Sequence, residues 1–317
     1  MTTSMSAVAL LACATCLSPG AVAPALAQAD APSAAKVAPL GSPAAPPPDE
    51  RAHQDEEDEV DSSLTEADFS VVTLPTTLQL PRFGFNFRLT HRFLANLRQG
   101  SFSDHLEDLF GLDNGAVIAL ELRFAPLSNL QVVVHRSSQD KTLQFSGQYD
   151  AIRQGRAWPV SISPIASIEG TNNFKGRGDT GGDGGHDHGV GGGAHRSPAL
   201  GAVVSRTFSD RLALYAVPMW VHDSARLPEG DRNTGFLGLG GRARLSRNVF
   251  VVAEVSPRIG GYAPGSPGYA FGIERRAGGH MFLLTFTNSV GTTFGQMSQG
   301  GFPDTLYMGF NLGRKFY

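Results

Sequence analysis

Apolar and polar side chains alternate with a period of two along most of the chain after residue 82. Between residues 83 and 93, the apolar set includes Phe83, Phe85, Phe87 and Leu89, and the interleaved polar set includes Arg88 and Arg92. The segment before the C-terminus repeats the pattern with Met308, Phe310 and Leu312. Such alternation predicts β-strands with one apolar face, and we expect those seven apolar residues to face membrane lipid.

Ten further segments between these two have the length and the residue types of strands. They are residues 116–124, 130–136, 142–152, 160–168, 200–207, 212–221, 235–244, 249–255, 269–274 and 281–287. Twelve is an even number, as in bacterial outer-membrane barrels. The pattern therefore predicts an all-β fold, an antiparallel up-and-down transmembrane β-barrel of about 12 strands. A soluble β-sandwich is the alternative that alternation alone leaves open.

The connections between predicted strands alternate in length. Those after even-numbered strands are short, and those after odd-numbered strands are long, except for residues 137–140. Outer-membrane barrels have short periplasmic turns and longer external loops, so the parity predicts that both termini are periplasmic. The chain ends on Phe316 and Tyr317. A final strand closing on an aromatic residue resembles the signal by which the barrel-assembly machinery engages such proteins, and outer-membrane lipid is the other expected partner.

The first part of the chain has a different character. Residues 1–27 have an apolar core and end on Ala25-Leu26-Ala27, which predicts a secretory signal peptide. Residues 28–79 are Ala/Pro-rich and then acidic, and we expect a disordered periplasmic tail. Residues 80–317 are the predicted barrel, with a Gly/His-rich outer loop at residues 170–198.

Composition narrows the possible chemistry. Charged residues make up 17% of the chain and apolar ones 41%, and no run of 18 apolar residues follows the N-terminus, so a membrane span has to be a β-strand. Both cysteines, Cys13 and Cys16, fall in the signal segment, which excludes cysteine chemistry in the mature chain. The net charge of -3 gives no basic face for nucleic acid. We expect no cofactor.

Several segments resemble a bacterial family of β-barrel domains of unknown function. They are residues 90–93, 109–115, 135–142, 208–212, 278–289 and 309–312, and the resemblance spans Leu80 to Tyr317. It implies an outer-membrane barrel with no established substrate. Residues 175–195 stand out as an insertion relative to the family pattern.

Charged residues on the polar faces are the candidate pore-lining residues. Arg88, Arg92, Glu121 and Arg123 would lie in the lumen, where they either select anions or pair with each other and close a narrow barrel. Residues 102–110 form a short amphipathic pattern that either plugs the mouth or lies on the outer rim.

Two weaker candidates involve histidine. His186, His188 and His195 could bind zinc, copper or nickel, although a solvated low-complexity loop is the favoured interpretation. His135, Ser137, Ser138 and Asp140 form a polar cluster that a membrane hydrolase could use, but no nucleophile-elbow motif accompanies it, and we predict no enzyme and no catalytic residue.

The function predicted first is a narrow channel or transporter for small polar solutes, whose identity the sequence does not specify. A closed structural or binding barrel acting through its outer loops is the alternative, and an outer-membrane hydrolase ranks last.

Overall fold

In the described part of the chain, thirteen antiparallel strands form a single sheet. The computed structural model describes residues 67–111, 115–175, 195–224, 233–261 and 266–316. The strands are β1 (Phe85–Phe93), β2 (Ala116–Leu127), β3 (Leu130–Ser137), β4 (Thr142–Tyr149), β5 (Ser161–Gly170), β6 (Arg196–Ser209), β7 (Leu212–Val221), β8 (Thr234–Ser246), β9 (Val249–Ser256), β10 (Arg258–Gly261), β11 (Gly268–Ala277), β12 (His280–Thr287) and β13 (Tyr307–Phe316).

The sheet closes into a barrel. The strands pair in chain order, β9 pairs with β11, and β1 pairs with β13, with Leu89 opposite Leu312. The short β10 follows β9 after Pro257 and pairs with the same neighbour, β8. It therefore extends β9 and does not add a further strand to the circumference of the barrel. The predicted all-β barrel of 12 antiparallel strands is confirmed, with β10 as one extra strand.

The connections alternate in length as predicted. At one end of the barrel, β2–β3, β6–β7, β8–β9 and β11–β12 are joined by tight turns, and at the other end most connections are long. The short link between β3 and β4 is an exception that the sequence indicates, and the longer link between β4 and β5 is a second one, because β4 ends at Tyr149 and not at the predicted residue 152. The carbonyl of Ala67 accepts a hydrogen bond from Lys315 Nζ at 3.3 Å, so both ends of the described chain lie at the short-turn end.

Alternation sorts the side chains between the two faces of the sheet. On β2, Ile118, Leu120 and Leu122 lie exposed on the outside, whereas Glu121 and Arg123 are buried inside. Successive side chains of a strand point to opposite faces, and an apolar outside with a polar inside is the pattern of membrane barrels.

Two short helices lie in the long connections. The first, α1 (Phe102–Glu107), is capped by Ser101 and has no buried residue, with Phe102 73% exposed. The second, α2 (Phe294–Ser298), is capped by Thr293 and is buried throughout. Of the two positions that the sequence left open for residues 102–110, the exposed one is therefore the observed one. Neither helix of the described chain has the length and apolarity of a membrane-spanning helix.

The structure corrects the predicted boundary of the tail. Residues 67–79 were expected to be part of a disordered periplasmic segment, but most of their side chains are buried inside the barrel, among them Phe69, Val71 and Leu74. Apolar residues at close spacing supply the burial that the preceding acidic stretch lacks. The signal peptide and the rest of the tail, residues 1–66, lie outside the described residues.

Candidate functional site

The predicted pore-lining residues all point into the barrel. Arg88 and Arg92 come from β1, and Glu121 and Arg123 come from β2, where Arg88 lies directly opposite Glu121 in the strand register. All four are buried, Arg92 to 1% exposure. Their position is thus inside the barrel, while a role in lining a conducting path stays a prediction.

Each of these charges has a polar partner, as buried charges require. Arg123 Nη2 lies 3.1 Å from Glu121 Oε1, and the other carboxylate oxygen of Glu121 lies 3.4 Å from His135 Nδ1. Arg92 Nη1 donates to Asn311 Oδ1 at 2.8 Å. The charges inside the barrel are therefore paired, while anion selection and closure of the barrel both stay predictions.

Arg88 pairs with a residue that the sequence analysis assigned to the tail. Its Nη2 lies 2.8 Å from the carboxylate of Asp68, and its Nη1 donates to the hydroxyl of Ser70. Arg242 of β8 donates to the carbonyl of Ser70 at 2.8 Å and also pairs with Glu274. Segment 67–80 is therefore bound to one of the predicted pore-lining residues, Arg88, and to a second buried arginine, Arg242.

Residues 69–76 fold back on themselves inside the barrel, and we call them the N-terminal hairpin. The amide of Thr76 donates to the carbonyl of Phe69 at 2.9 Å, and the amide of Val71 donates to that of Leu74 at 2.8 Å. The carbonyl of Thr76 accepts from Gln148 Nε2 at 2.8 Å. The hairpin enters and leaves at the short-turn end of the barrel.

One carboxylate holds the tip of the hairpin. Glu254 of β9 accepts hydrogen bonds from the amides of Val72, Thr73 and Leu74 at 2.9–3.0 Å. Hydrogen bonds to an ionised acceptor are about twice as strong as neutral ones. Glu254 was absent from the candidate residues, and its inward position in the alternation of β9 was the available signal.

The apolar side of the hairpin lies against a second wall of the barrel. Val71 and Leu74 belong to one buried hydrophobic cluster with inward residues of β7. Those inward residues are Ala213, Tyr215, Val217, Met219 and Val221. A β carbon at Gly238 would collide with the side chain of Leu74, so this glycine leaves the space that the hairpin needs. The lumen is polar on one side and apolar on the other.

The connection between β12 and β13 also lies inside the barrel, toward the end with the long connections. The amide of Phe294 donates to Gln144 Oε1 and that of Gly295 to Glu169 Oε2, both at 2.9 Å. Gln296 reaches Thr142 Oγ1 at 3.2 Å. These bonds fix α2 to the inner faces of β4 and β5. The folded-in segment is therefore α2 and not α1.

The acidic residue of α1 is instead part of its cap. Hydrogen bonds between Asp104 and the backbone and hydroxyl of Ser101 hold the pKa of the Asp104 carboxyl below its ordinary value. These hydrogen bonds join residues at the N-terminal end of α1 only.

Of the three histidines predicted to bind metal, the structure describes His195. His186 and His188 lie outside the described residues, whereas His195 lies 3.1 Å from Ser197 Oγ and 3.6 Å from Asp223. Among the described residues, no group of three or more His, Cys, Asp or Glu side chains is arranged to hold a metal. Metal binding by the loop stays a prediction.

The polar cluster of the hydrolase hypothesis is distributed over separate contacts. His135 hydrogen-bonds Glu121 and Thr292, while Ser137 Oγ accepts from the amide of Gln139 and Ser138 Oγ from that of Ile118. A serine nucleophile needs its base within hydrogen-bond reach. In the described part of the chain, neither serine has that contact with His135.

The predicted membrane-facing residues lie on the outside of the barrel. Phe85, Phe87 and Leu89 alternate with buried residues on β1, and Met308, Phe310 and Leu312 do so on β13. Phe83 precedes β1, is exposed and stacks on Phe124. Contact of these side chains with lipid stays a prediction.

The chain matches the family described as membrane bound beta barrel domain (DUF5777) over residues 67–316. The fold is similar to that of the NanC porin, with a TM-score of 0.44 and 9% identity over 74% of this chain and 99% of that one. It is also similar to the KdgM porin in complex with disordered oligogalacturonate, with a TM-score of 0.42 and 8% identity over 74% and 98%. A mutant porin of Rhodopseudomonas blastica has a TM-score of 0.33 and 12% identity over 65% and 56%. No curated protein matches the sequence.

Proposed function

Because the chain belongs to the family of membrane bound beta barrel domains, we propose that it is a narrow channel or transporter for small polar solutes in a bacterial outer membrane. The observation that carries this proposal is the polar wall inside the barrel. It consists of Asn86, Arg88, Thr90, Arg92, Glu121, Arg123, Gln131, His135, Ser137, Thr142, Gln144 and Gln148 on β1–β4.

The inner wall of β1–β4 is largely polar, although Val117, Ala119 and Val133 interrupt it. An arginine on the lipid face of a barrel costs about 2–4 kcal/mol at the membrane midplane, so the charged residues have to face inward. A barrel of this size can be filled by apolar side chains alone, as the inner face of β7 nearly is. Four adjacent polar strands therefore favour a path for polar solutes along that side.

The charges on this wall favour anions. Arg88, Arg92 and Arg123 lie on neighbouring strands, and Glu121 is the acidic residue among them. Rings and rows of arginine select anionic solutes in pores. Orientation with both termini in the periplasm is part of the proposal, supported by the short turns at the end where the hairpin enters.

Single-channel conductance in a planar bilayer tests the proposal. The chain from Gln28 to Tyr317 is refolded, and its reversal potential is measured in a KCl gradient. We expect discrete steps with chloride preferred, and a shift toward potassium in the variants Arg88→Glu and Arg123→Glu. Arg211→Glu, in the exposed turn between β6 and β7, is the matched control and should leave the preference unchanged.

A closed barrel acting through its outer loops is the second candidate. The hairpin and α2 both occupy the lumen, which favours a barrel without a permanently open path. Folded protein that gives no steps, also after the hairpin is loosened by Glu254→Gln, would contradict the channel and favour this candidate.

A further inference from the structure

We propose that the N-terminal hairpin with Asp68 is an internal ligand of an anion site in the lumen, and that this site binds small carboxylate solutes when the hairpin withdraws. The inference rests on the proposed channel function and specifies its solute class. Asp68 is the carboxylate that now occupies the site, held by Arg88 at 2.8 Å.

The inner wall meets this segment mostly with hydrogen-bond donors. Lys315 donates to the carbonyl oxygen of Ala67, and Arg242 donates to those of Asp68 and Ser70. Asn311 donates to the carbonyl of Val72, Gln148 to that of Thr76 and Gln131 to that of Leu78. The donors come from four strands, β3, β4, β8 and β13, and converge on one short segment. A solute rich in oxygen atoms can accept the same hydrogen bonds.

Two further positively charged side chains of the wall lie next to the neighbour of Asp68, Phe69. Arg123 lies with its guanidinium carbon 5.1 Å from the ring centre of Phe69, and Lys315 Nζ lies 5.5 Å from it. Arg88 is buried and pairs with Asp68. Withdrawal of the hairpin leaves Arg88 without this partner, and a buried arginine favours a replacement anion.

Glu254, which binds the tip of the N-terminal hairpin, also interacts with a residue of the barrel wall. Glu254 and Arg92 interact electrostatically, and Arg92 Nη2 is a buried nitrogen with no hydrogen-bond partner among the described residues. When the tip leaves, the positive charge of Arg92 therefore still acts on Glu254. The anion site then consists chiefly of Arg88, with Arg242 beside it still paired with Glu274.

A disulfide can lock the hairpin in place without altering the fold. A β carbon built at Gly240 lies 3.5 Å from Cβ of Val71, within the range that a disulfide spans. The double variant Val71→Cys/Gly240→Cys has no competing thiol, since Cys13 and Cys16 precede Gln28. Oxidation then holds the hairpin in the barrel, and a reductant releases it.

Uptake of gluconate into proteoliposomes is the measurement, with sorbitol as the uncharged solute of the same chain length. We expect the reduced double variant to take up gluconate at least about tenfold faster than the oxidised one, because a lost contact between charged groups corresponds to about that factor. We also expect gluconate to pass faster than sorbitol, and Arg88→Gln to remove this preference. Arg211→Gln, in the exposed turn, should retain it.

Each of the other possible results would overturn a specific part of the inference. Equal gluconate uptake by the oxidised and reduced forms would mean that solute passes beside the hairpin, which overturns this inference and leaves the channel intact. Uptake that depends on the lock but is equal for gluconate and sorbitol would overturn the anion site. Folded protein that takes up neither solute, with Glu254→Gln included, would overturn the channel and the anion site together.

Discussion

Changing Glu254 to glutamine tests how the hairpin is held. The carboxylate accepts the amides of Val72, Thr73 and Leu74. Hydrogen bonds to a charged group contribute about 1.5–3 kcal/mol and neutral ones about half as much. Glu254 is half-buried, so the low end applies, and removing the charge weakens the three bonds by about 2 kcal/mol in total. The withdrawn population should therefore rise about 30-fold.

Labelling of a single thiol measures that population. Val71 is fully buried, and Val71→Cys in the chain from Gln28 onward is the only cysteine present. Its reaction rate with a maleimide follows the opening equilibrium when closing is faster than labelling. We expect Glu254→Gln to raise the rate about 30-fold. The matched control is Glu107→Gln on exposed α1, which should leave the rate unchanged.

A rate that changes by less than about twofold in Glu254→Gln would refute this reasoning, since that factor corresponds to only about 0.4 kcal/mol. The hairpin would then be held chiefly by its apolar contacts with β7 and by the arginines.

Two further predictions follow from the packing inside the barrel and at its rim. Gly238→Ala places a methyl group against Leu74 and should speed labelling of Val71→Cys, whereas Gly147→Ala, where a β carbon meets nothing within 4 Å, should not; equal rates would contradict the close approach of hairpin and β8. Deletion of residues 101–108 should leave single-channel conductance unchanged, because α1 has no buried residue, and a larger conductance would mean that α1 obstructs the path after all.

The barrel itself could be predicted because its signal is local. In β1, lipid and lumen select opposite residue types at successive positions, so Phe85, Phe87 and Leu89 separate from Arg88 and Arg92 in the sequence alone. The lengths of the connections follow from the same segmentation. The sequence thereby determined strand number, strand order and the inward direction of the four predicted charged residues.

The contents of the lumen could not be predicted in the same way. Segment 67–80 contains Phe69, Val71 and Leu74 but has no regular period, and its hydrogen bonds go to residues such as Glu254 and Asn311, far away in the chain. Likewise, α2 is buried and α1 exposed, although both are short helices in long connections at the same end of the barrel. Which segments fold inward depends on the space and the donors that the closed barrel provides, and these exist only once distant strands have met.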